Sequence, residues 1–220
     1  VADDSDLCTR PDVKLALEIQ DTVTVRDALI DDAITDASLR IMEYCKREFS
    51  PQSAAGTART FPIDWRSAWS GGGPLGTFVD LSPYDLQTAT SVILHPETGG
   101  SALTLTAGTD YALEPIPSFY GVYYGLRVSS YLPITSAFAT QFGYAQIQIT
   151  GTWGFPTIPA PVKRACIVTV ASWVDRRAGS YAPADNIDGR MTLPDTSGGL
   201  DIPNSAKRLL EPLARRTMVF

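Results

Sequence analysis

The sequence predicts an α+β protein: a small α-helical bundle of about four helices, with a large antiparallel β insertion between the second and third helices. Three observations predict it. Residues 24–49, TVRDALIDDAITDASLRIMEYCKREF, carry apolar side chains at helical spacing. From about 58 to 154 the chain breaks into short runs rich in Val, Ile, Thr, Tyr and Phe, separated by Gly, Pro, Ser and Asp clusters. Helical spacing returns at 160–177. The segments expected are therefore 1–56, the first part of the helical body; 57–154, the β-rich insertion; and 155–220, the second part of the body. That last segment carries a long loop at 178–204 and a C-terminal docking segment.

Residues 10–19, RPDVKLALEI, predict a short first helix. Pro11 suits a first turn, Asp12 favours the positive end of the dipole, and Val13, Leu15, Leu17 and Ile19 supply apolar bulk. In the second helix, Leu29, Ile30, Ala33, Ile34, Ala37, Ile41, Tyr44 and Cys45 form one stripe. Thr24 with Asp27 three residues on predicts a capping box. Acidic residues come early (Asp27, Asp31, Asp32, Asp36) and basic ones late (Arg40, Lys46, Arg47), which complements the macrodipole. Ser50-Pro51 ends the helix.

Seven runs predict strands: ARTFPID, GTFVDLS, TSVILHP, ALTLTAG, DYALEP, GVYYGLRVSS and AQIQITGTW. RSAWSGGGPLG at 66–76 reads as a loop. The last strand ends in Thr-Trp-Gly-Phe-Pro. There Gly154 supplies backbone angles that other residues avoid, and Pro156 stiffens the exit. In the third helix Val162, Ala165, Cys166, Thr169, Trp173 and Arg176 share a stripe, with Val170 beside it; Pro161 is tolerated in the first turn. A closing helix at 205–216, SAKRLLEPLARR, carries Leu209, Leu210 and Leu213, with Pro212 set to kink or end it.

A net charge of −6 argues against a protein held to nucleic acid by phosphate contacts, yet suits a wall that DNA slides past. The three cysteines, Cys8, Cys45 and Cys166, lie far apart in sequence. They predict buried reduced thiols in helix cores, with no disulfide and no zinc site. No apolar run reaches the roughly 18 residues of a membrane span. The polar start VADDSDLC is unlike a signal peptide and implies a cytosolic product.

No constellation for catalysis stands out. The single histidine, His95, has no partner in sequence and reads as structural. The Asp31-Asp32 pair reads as a solvated helix face rather than a metal site, and 185-DNIDGR-190 lacks the spacing and final Glu of a calcium loop. The expectation is no catalytic residue, no metal and no cofactor. Aromatics crowd the β region, Trp65 and Trp69 among them. A glycan- or protein-binding face is the alternative to a sheet core with subunit contacts. The C-terminal segment is the best interaction candidate, with folding back onto its own core as the equal alternative. Lys207, Arg208, Leu209, Leu210, Leu213, Arg215, Arg216, Met218, Val219 and Phe220 form a basic, apolar stretch in an acidic chain.

The order of these parts resembles the head–tail connector family of tailed bacteriophages, also called adaptor or head-completion proteins. The likeness lies in 27-DALIDDAITDASLRIMEYCKREF-49, in the strand end 150-TGTWGF-155 with the proline-led 159-PAPVKRACIVTVASWVDRR-177, and in the closing helix with its basic-apolar tail. The resemblance implies a ring of copies, usually about twelve, beneath the portal protein. It implies that the C-terminal segment named above docks on the portal, and that a stopper or tail-completion protein follows. It also implies that DNA passes through without sequence-specific binding; the channel-lining candidates, taken from the acidic face of the second helix, are Asp31, Asp32 and Asp36. The implied location is the virion neck, with no membrane involved. The β region and the 178–204 loop are longer than in compact members.

Overall fold

A computed structural model describes residues 6–49, 56–63, 77–95, 102–129, 145–180 and 201–215. The chain divides into two compact units. One comprises Val1–Lys46 with Ile158–Phe220, the other Arg47–Thr157. The first is helical and is built from both ends of the sequence; the second is the continuous β-rich insertion.

The helical unit contains α1 (Arg10–Ala16), α2 (Asp27–Cys45), α3 (Ala160–Ser180) and α4 (Asn204–Leu210). Its core is the apolar stripe of α2 (Ile30, Ala33, Ile34, Ala37, Ile41 and Cys45) facing that of α3 (Val162, Ala165, Cys166, Val170, Trp173 and Val174). Leu29 and Tyr44, expected on the α2 stripe, sit at its margins: Leu29 is half-buried and Tyr44 exposed. The α3 helix starts directly after Pro159, whose carbonyl accepts the N–H groups of Val162 and Lys163 at 2.9 and 3.1 Å. It runs to Ser180, past the expected end at 177. Trp173 donates its indole N–H to the Asp201 carbonyl at 3.1 Å. With buried Ile202 and Ala206, this seats the approach to α4 on α3.

Three local expectations are corrected. The capping box falls on α1, where the Thr9 N–H and hydroxyl both donate to the Asp12 carboxylate; α2 starts at Asp27 without a side-chain cap. The reason is that Asp27 is engaged by Arg10 and Lys14. No basic residue lies in the last turn of α2. Lys46 takes a left-handed conformation just beyond it, and Arg47 belongs to the β unit. Within α1, Leu15 is 81% exposed whereas Lys14 is 4% exposed. Positions 10, 13, 14 and 17 share one helical face, so Lys14 points inward with Val13, and Leu15 lies on the opposite side.

In the β unit all seven expected strands form: β1 (Thr57–Ile63), β2 (Thr77–Asp80), β3 (Leu86–His95), β4 (Leu103–Thr104), β5 (Tyr111–Glu114), β6 (Gly125–Val128) and β7 (Ala145–Trp153). They make two antiparallel sheets, ordered β1-β7-β3-β4 and β2-β6-β5. One hydrophobic cluster takes alternate residues from both sheets, including Phe61, Ile63, Val79, Val92, Leu94, Leu126, Ile147 and Ile149. Two register shifts in β3 between Leu86 and Ser91 bring its backbone onto β7, where a Cβ at Gly151 would stand 2.0 Å from the Thr88 carbonyl oxygen. Only glycine fits there.

The Thr-Trp-Gly-Phe end of β7 is explained by this unit's packing. Trp153 is fully buried, donates to the Thr57 carbonyl at 2.9 Å and meets Phe61 and Tyr84. Gly154 then takes φ +83°, the left-handed region, and its N–H donates to the Asp85 carbonyl at 2.7 Å. The turn directs Phe155 onto Phe49, ring centroids 5.2 Å apart. Beside this contact Arg47 is 4% exposed and Asp85 0%, with 3.6 Å between Arg47 Nη1 and Asp85 Oδ1. The guanidinium lies 5.3 Å from the Tyr124 ring centroid and 5.9 Å from that of Phe119. The two ends of the insertion are thus joined inside the β unit.

Removing one partner of such a buried pair takes an opposite charge away from the other at a buried position. Arg47→Met is expected to lower stability to urea unfolding by about 3–5 kcal/mol. Arg47→Met with Asp85→Leu should recover more than half of that loss. A single substitution costing under about 1 kcal/mol, the scale of an exposed pair, would show that the pair does not hold the junction.

Candidate functional site

The charged surface of the helical unit begins with a network at the start of α1 and α2. Arg10 grips Asp31 with two nitrogens, Nε to Oδ1 at 2.7 Å and Nη2 to Oδ2, and reaches Asp27 Oδ2 through Nη1 at 3.1 Å. Buried Lys14 lies 2.6 Å from Asp27 Oδ1 and donates to the carbonyls of Val23 and Asp21 at 2.9 and 3.3 Å. One ammonium therefore satisfies two carbonyls of the α1–α2 connection and a carboxylate of α2. Lys163 adds a 3.0 Å bridge from α3 to Asp12. A cavity of about 340 Å³ beside this network is lined by Arg10, Lys14, Asp21, Asp27 and Asp31, among others.

This network separates the three channel-lining candidates. Asp31 is committed to Arg10, and its charge is locally neutralised. Asp32 and Asp36 are exposed on the outer side of α2. Hydrogen bonding from Arg10 holds the Asp31 carboxyl below its ordinary value of 3.8, against a smaller opposing effect of burial.

The docking segment is likewise divided. Leu210 and Leu213 are buried in the helical unit itself, as is Ala206. Pro212 sits just beyond the end of α4, and the Arg215 N–H donates to the Cys45 carbonyl at 3.0 Å, tying the segment to the end of α2. Arg208 is exposed, and Lys207, Leu209 and Arg215 are half-buried. Arg216, Met218, Val219 and Phe220 lie outside the described residues. Among the described residues, the most exposed apolar side chains of this unit are elsewhere: Leu15, Leu39 at 56% exposure, and Val25 at 93%. Sequence reasoning placed Leu15 in the core; helical phase alone puts it on the outside.

His95 faces Gln148 across the sheet, Nε2 to Oε1 3.3 Å, and is half-buried. Of the aromatic residues expected in the β region, Trp153 and Tyr111 are core. Phe119 stacks edge-on to Tyr120, centroids 4.7 Å apart, and Tyr84 carries the Arg59 guanidinium. Trp65, Trp69, Tyr131, Phe138, Phe142 and Tyr144 lie outside the described residues, as does 185-DNIDGR-190. All three cysteines are buried thiols outside any disulfide. Cys45 and Cys166 are in helices, but Cys8 precedes α1, with its Sγ 3.0 Å from Cys166 Sγ. That proximity has no local signature, because 158 residues separate the two. Among the described residues no group of three His, Cys, Asp or Glu side chains gathers to hold a metal, and no helix is long and apolar enough to cross a membrane.

No protein-family model matches the chain, and no curated protein matches it. Among solved structures, one described as "Neck of empty GTA particle computed with C6 symmetry" is similar at a TM-score of 0.45 and 13% identity, over 96% of this chain and 91% of that one. A likeness of that degree leaves function to be argued from the chain's own residues.

The Arg10–Asp31 pair yields a pH prediction with a definite sign. A carboxyl whose folded pKa is depressed contributes stability above its unfolded value and loses it as pH falls through the folded one. Both side chains are more than a third exposed, so the contribution is small, about 0.2–1 kcal/mol. Asp31→Asn should be less stable than wild type by that amount near pH 7. The difference should fade as pH drops below the ordinary carboxylate value of 3.8, read by urea unfolding at each pH. A gap that persists unchanged at pH 2–3 would show that the pair's charge is not its source.

Proposed function

We propose that this chain is a structural neck protein of a tailed-phage particle, assembled as a ring between portal and tail and extending the DNA channel. One observation carries the reading. A helical unit made from both chain ends holds a single β insertion that closes in Thr-Trp-Gly-Phe before a proline-led helix, the order in which the sequence resembles the connector family. The role is structural and has no catalytic step.

The surface chemistry supports the parts of this role separately. Exposed Asp32 and Asp36 on α2 present negative charge that repels a duplex and lets it slide. Exposed Leu15, Val25 and Leu39 offer apolar area for neighbouring copies. The docking face consists of Lys207, Arg208 and Leu209 on α4, continued by Arg215 and the tail Arg216, Met218, Val219 and Phe220. Leu210 and Leu213 are assigned to the core instead, because they are already buried. A stopper or tail-completion protein is the partner proposed for the opposite side of the ring.

The test is native mass spectrometry of the full chain mixed with portal rings of the same phage. The intact protein should add to the portal in about twelve copies, in keeping with cyclic assembly. A chain ending at Arg215 keeps Leu213 and should unfold at an unchanged urea midpoint, yet lose portal binding at least tenfold. Lys207→Glu with Arg208→Glu should weaken binding in a salt-dependent way. An intact chain that ignores the portal would overturn the neck reading. A truncated chain that still binds would overturn only the docking segment.

A further inference from the structure

We propose that Cys8 and Cys166 form an oxidation site, which a low-molecular-weight disulfide converts into an intrachain disulfide that fastens the segment before α1 onto α3. Geometry carries this. Cys8 Sγ and Cys166 Sγ are 3.0 Å apart, about 1 Å from the covalent S–S length of about 2.05 Å. Their positions are fixed from both sides. The neighbouring Leu7 N–H donates to Ser38 Oγ on α2 at 3.0 Å, and the same hydroxyl lies 3.8 Å from Cys166 Sγ. Leu7 is buried as well, so the whole turn before α1 is seated. The third cysteine is not a competitor. Cys45 lies seven residues beyond Ser38 along α2, about 10 Å at 1.5 Å per residue.

The chemistry balances with oxidised glutathione as the oxidant. When the segment lifts, the Cys8 thiol gives up its proton, and its sulfur attacks one sulfur of the reagent. That forms a mixed disulfide and releases one glutathione thiolate. The Cys166 thiol then loses its proton and attacks the Cys8 sulfur, forming the Cys8–Cys166 bond and releasing the second glutathione thiolate. The two protons from the protein end on the two released glutathiones, and two electrons pass from the cysteines to the reagent. Cys8 reacts first because it lies outside any helix, just before α1, whereas Cys166 lies within a helix packed on α2. In the seated state the hydrogen bond with Cys166, then burial, push the Cys8 thiol well above its ordinary range, so reaction waits for the segment to open.

The experiment incubates the full native chain with oxidised glutathione, blocks remaining thiols with an alkylating agent in denaturant, and maps the digest by mass spectrometry. The expected product is 2 Da lighter than the starting chain, has one alkylatable thiol in place of three, and yields a Cys8–Cys166 linked peptide. Its thermal midpoint should rise by roughly 5–10 °C and return on reduction. Cys45→Ser should form the same link. Cys8→Ser should form none and keep its other thiols. Cys8→Ser decides even if Cys166→Ser, at a core position, fails to fold. Three thiols surviving the native incubation, a link through Cys45, or a link between two chains would each overturn the site. An unchanged midpoint in the linked chain would overturn its fastening role.

Discussion

Much of the β unit depends on how its two ends are held together. A long insertion between two helices must leave and return at neighbouring points. Otherwise chain entropy at the crossing works against both units. Arg47 is the first residue of the insertion, and Asp85 immediately precedes β3. The carboxylate of Asp85 faces Arg47, while its backbone carbonyl takes the Gly154 N–H at the far end. One buried residue therefore meets both ends. Phe49 against Phe155 adds an apolar contact between the same two ends. An apolar residue at 47 would accept many neighbours. A buried guanidinium is most favourable with a carboxylate beside it, and Asp85 supplies one here.

The elements that were readable from sequence are those in which local periodicity and burial agree. The α2 stripe packs on α3, the α3 side chains pack on both α2 and α4, and the strands bury alternate residues in one cluster. Their residues therefore advertise the structure directly. In α1 the helix forms as expected, but its inward face is hidden where the pattern mixes periods. Val13, Leu15, Leu17 and Ile19 alternate like a strand, yet the helix buries Val13 with Lys14. A lysine inside is invisible to a hydrophobicity count, because its burial depends on Asp27 and two loop carbonyls that only the fold brings near. The same holds for Asp85. In sequence it is one acidic residue in a turn; in the fold it is the partner of a cation 38 positions earlier. Pairings at long separation have no local signature, and the Cys8–Cys166 approach is the extreme case.

The candidate surfaces follow the same logic. Basic and apolar residues near the C-terminus stood out by composition. Composition did not reveal that Leu210 and Leu213 face inward while Arg208 faces out, since that division depends on where α4 ends and how its last turn meets the end of α2. Two buried leucines anchor α4 and the turn after it to their own unit, which fixes where Arg208 stands. That division suits the docking role proposed above. An unanchored tail would have to be ordered on binding, at a cost in entropy that the anchored half has already met in folding.

Charge on the helical unit is also sorted by folding. The first half of α2 carries four aspartates, and their fates differ. Asp27 and Asp31 face Arg10 and Lys14, so that part of the surface is close to neutral and serves to hold α1 in place. Asp32 and Asp36 stand in solvent. A wall that must repel a polyanion without gripping it needs exposed carboxylates and no exposed cation among them, because a single accessible arginine beside the duplex would add a phosphate contact and slow passage. Pairing Arg10 with Asp27 and Asp31 takes up one such cation, while Arg40, exposed one turn beyond Asp36, stays accessible on the same helix. In the role proposed here, the ion pair that seats α1 thus also lowers the positive charge offered beside Asp32 and Asp36.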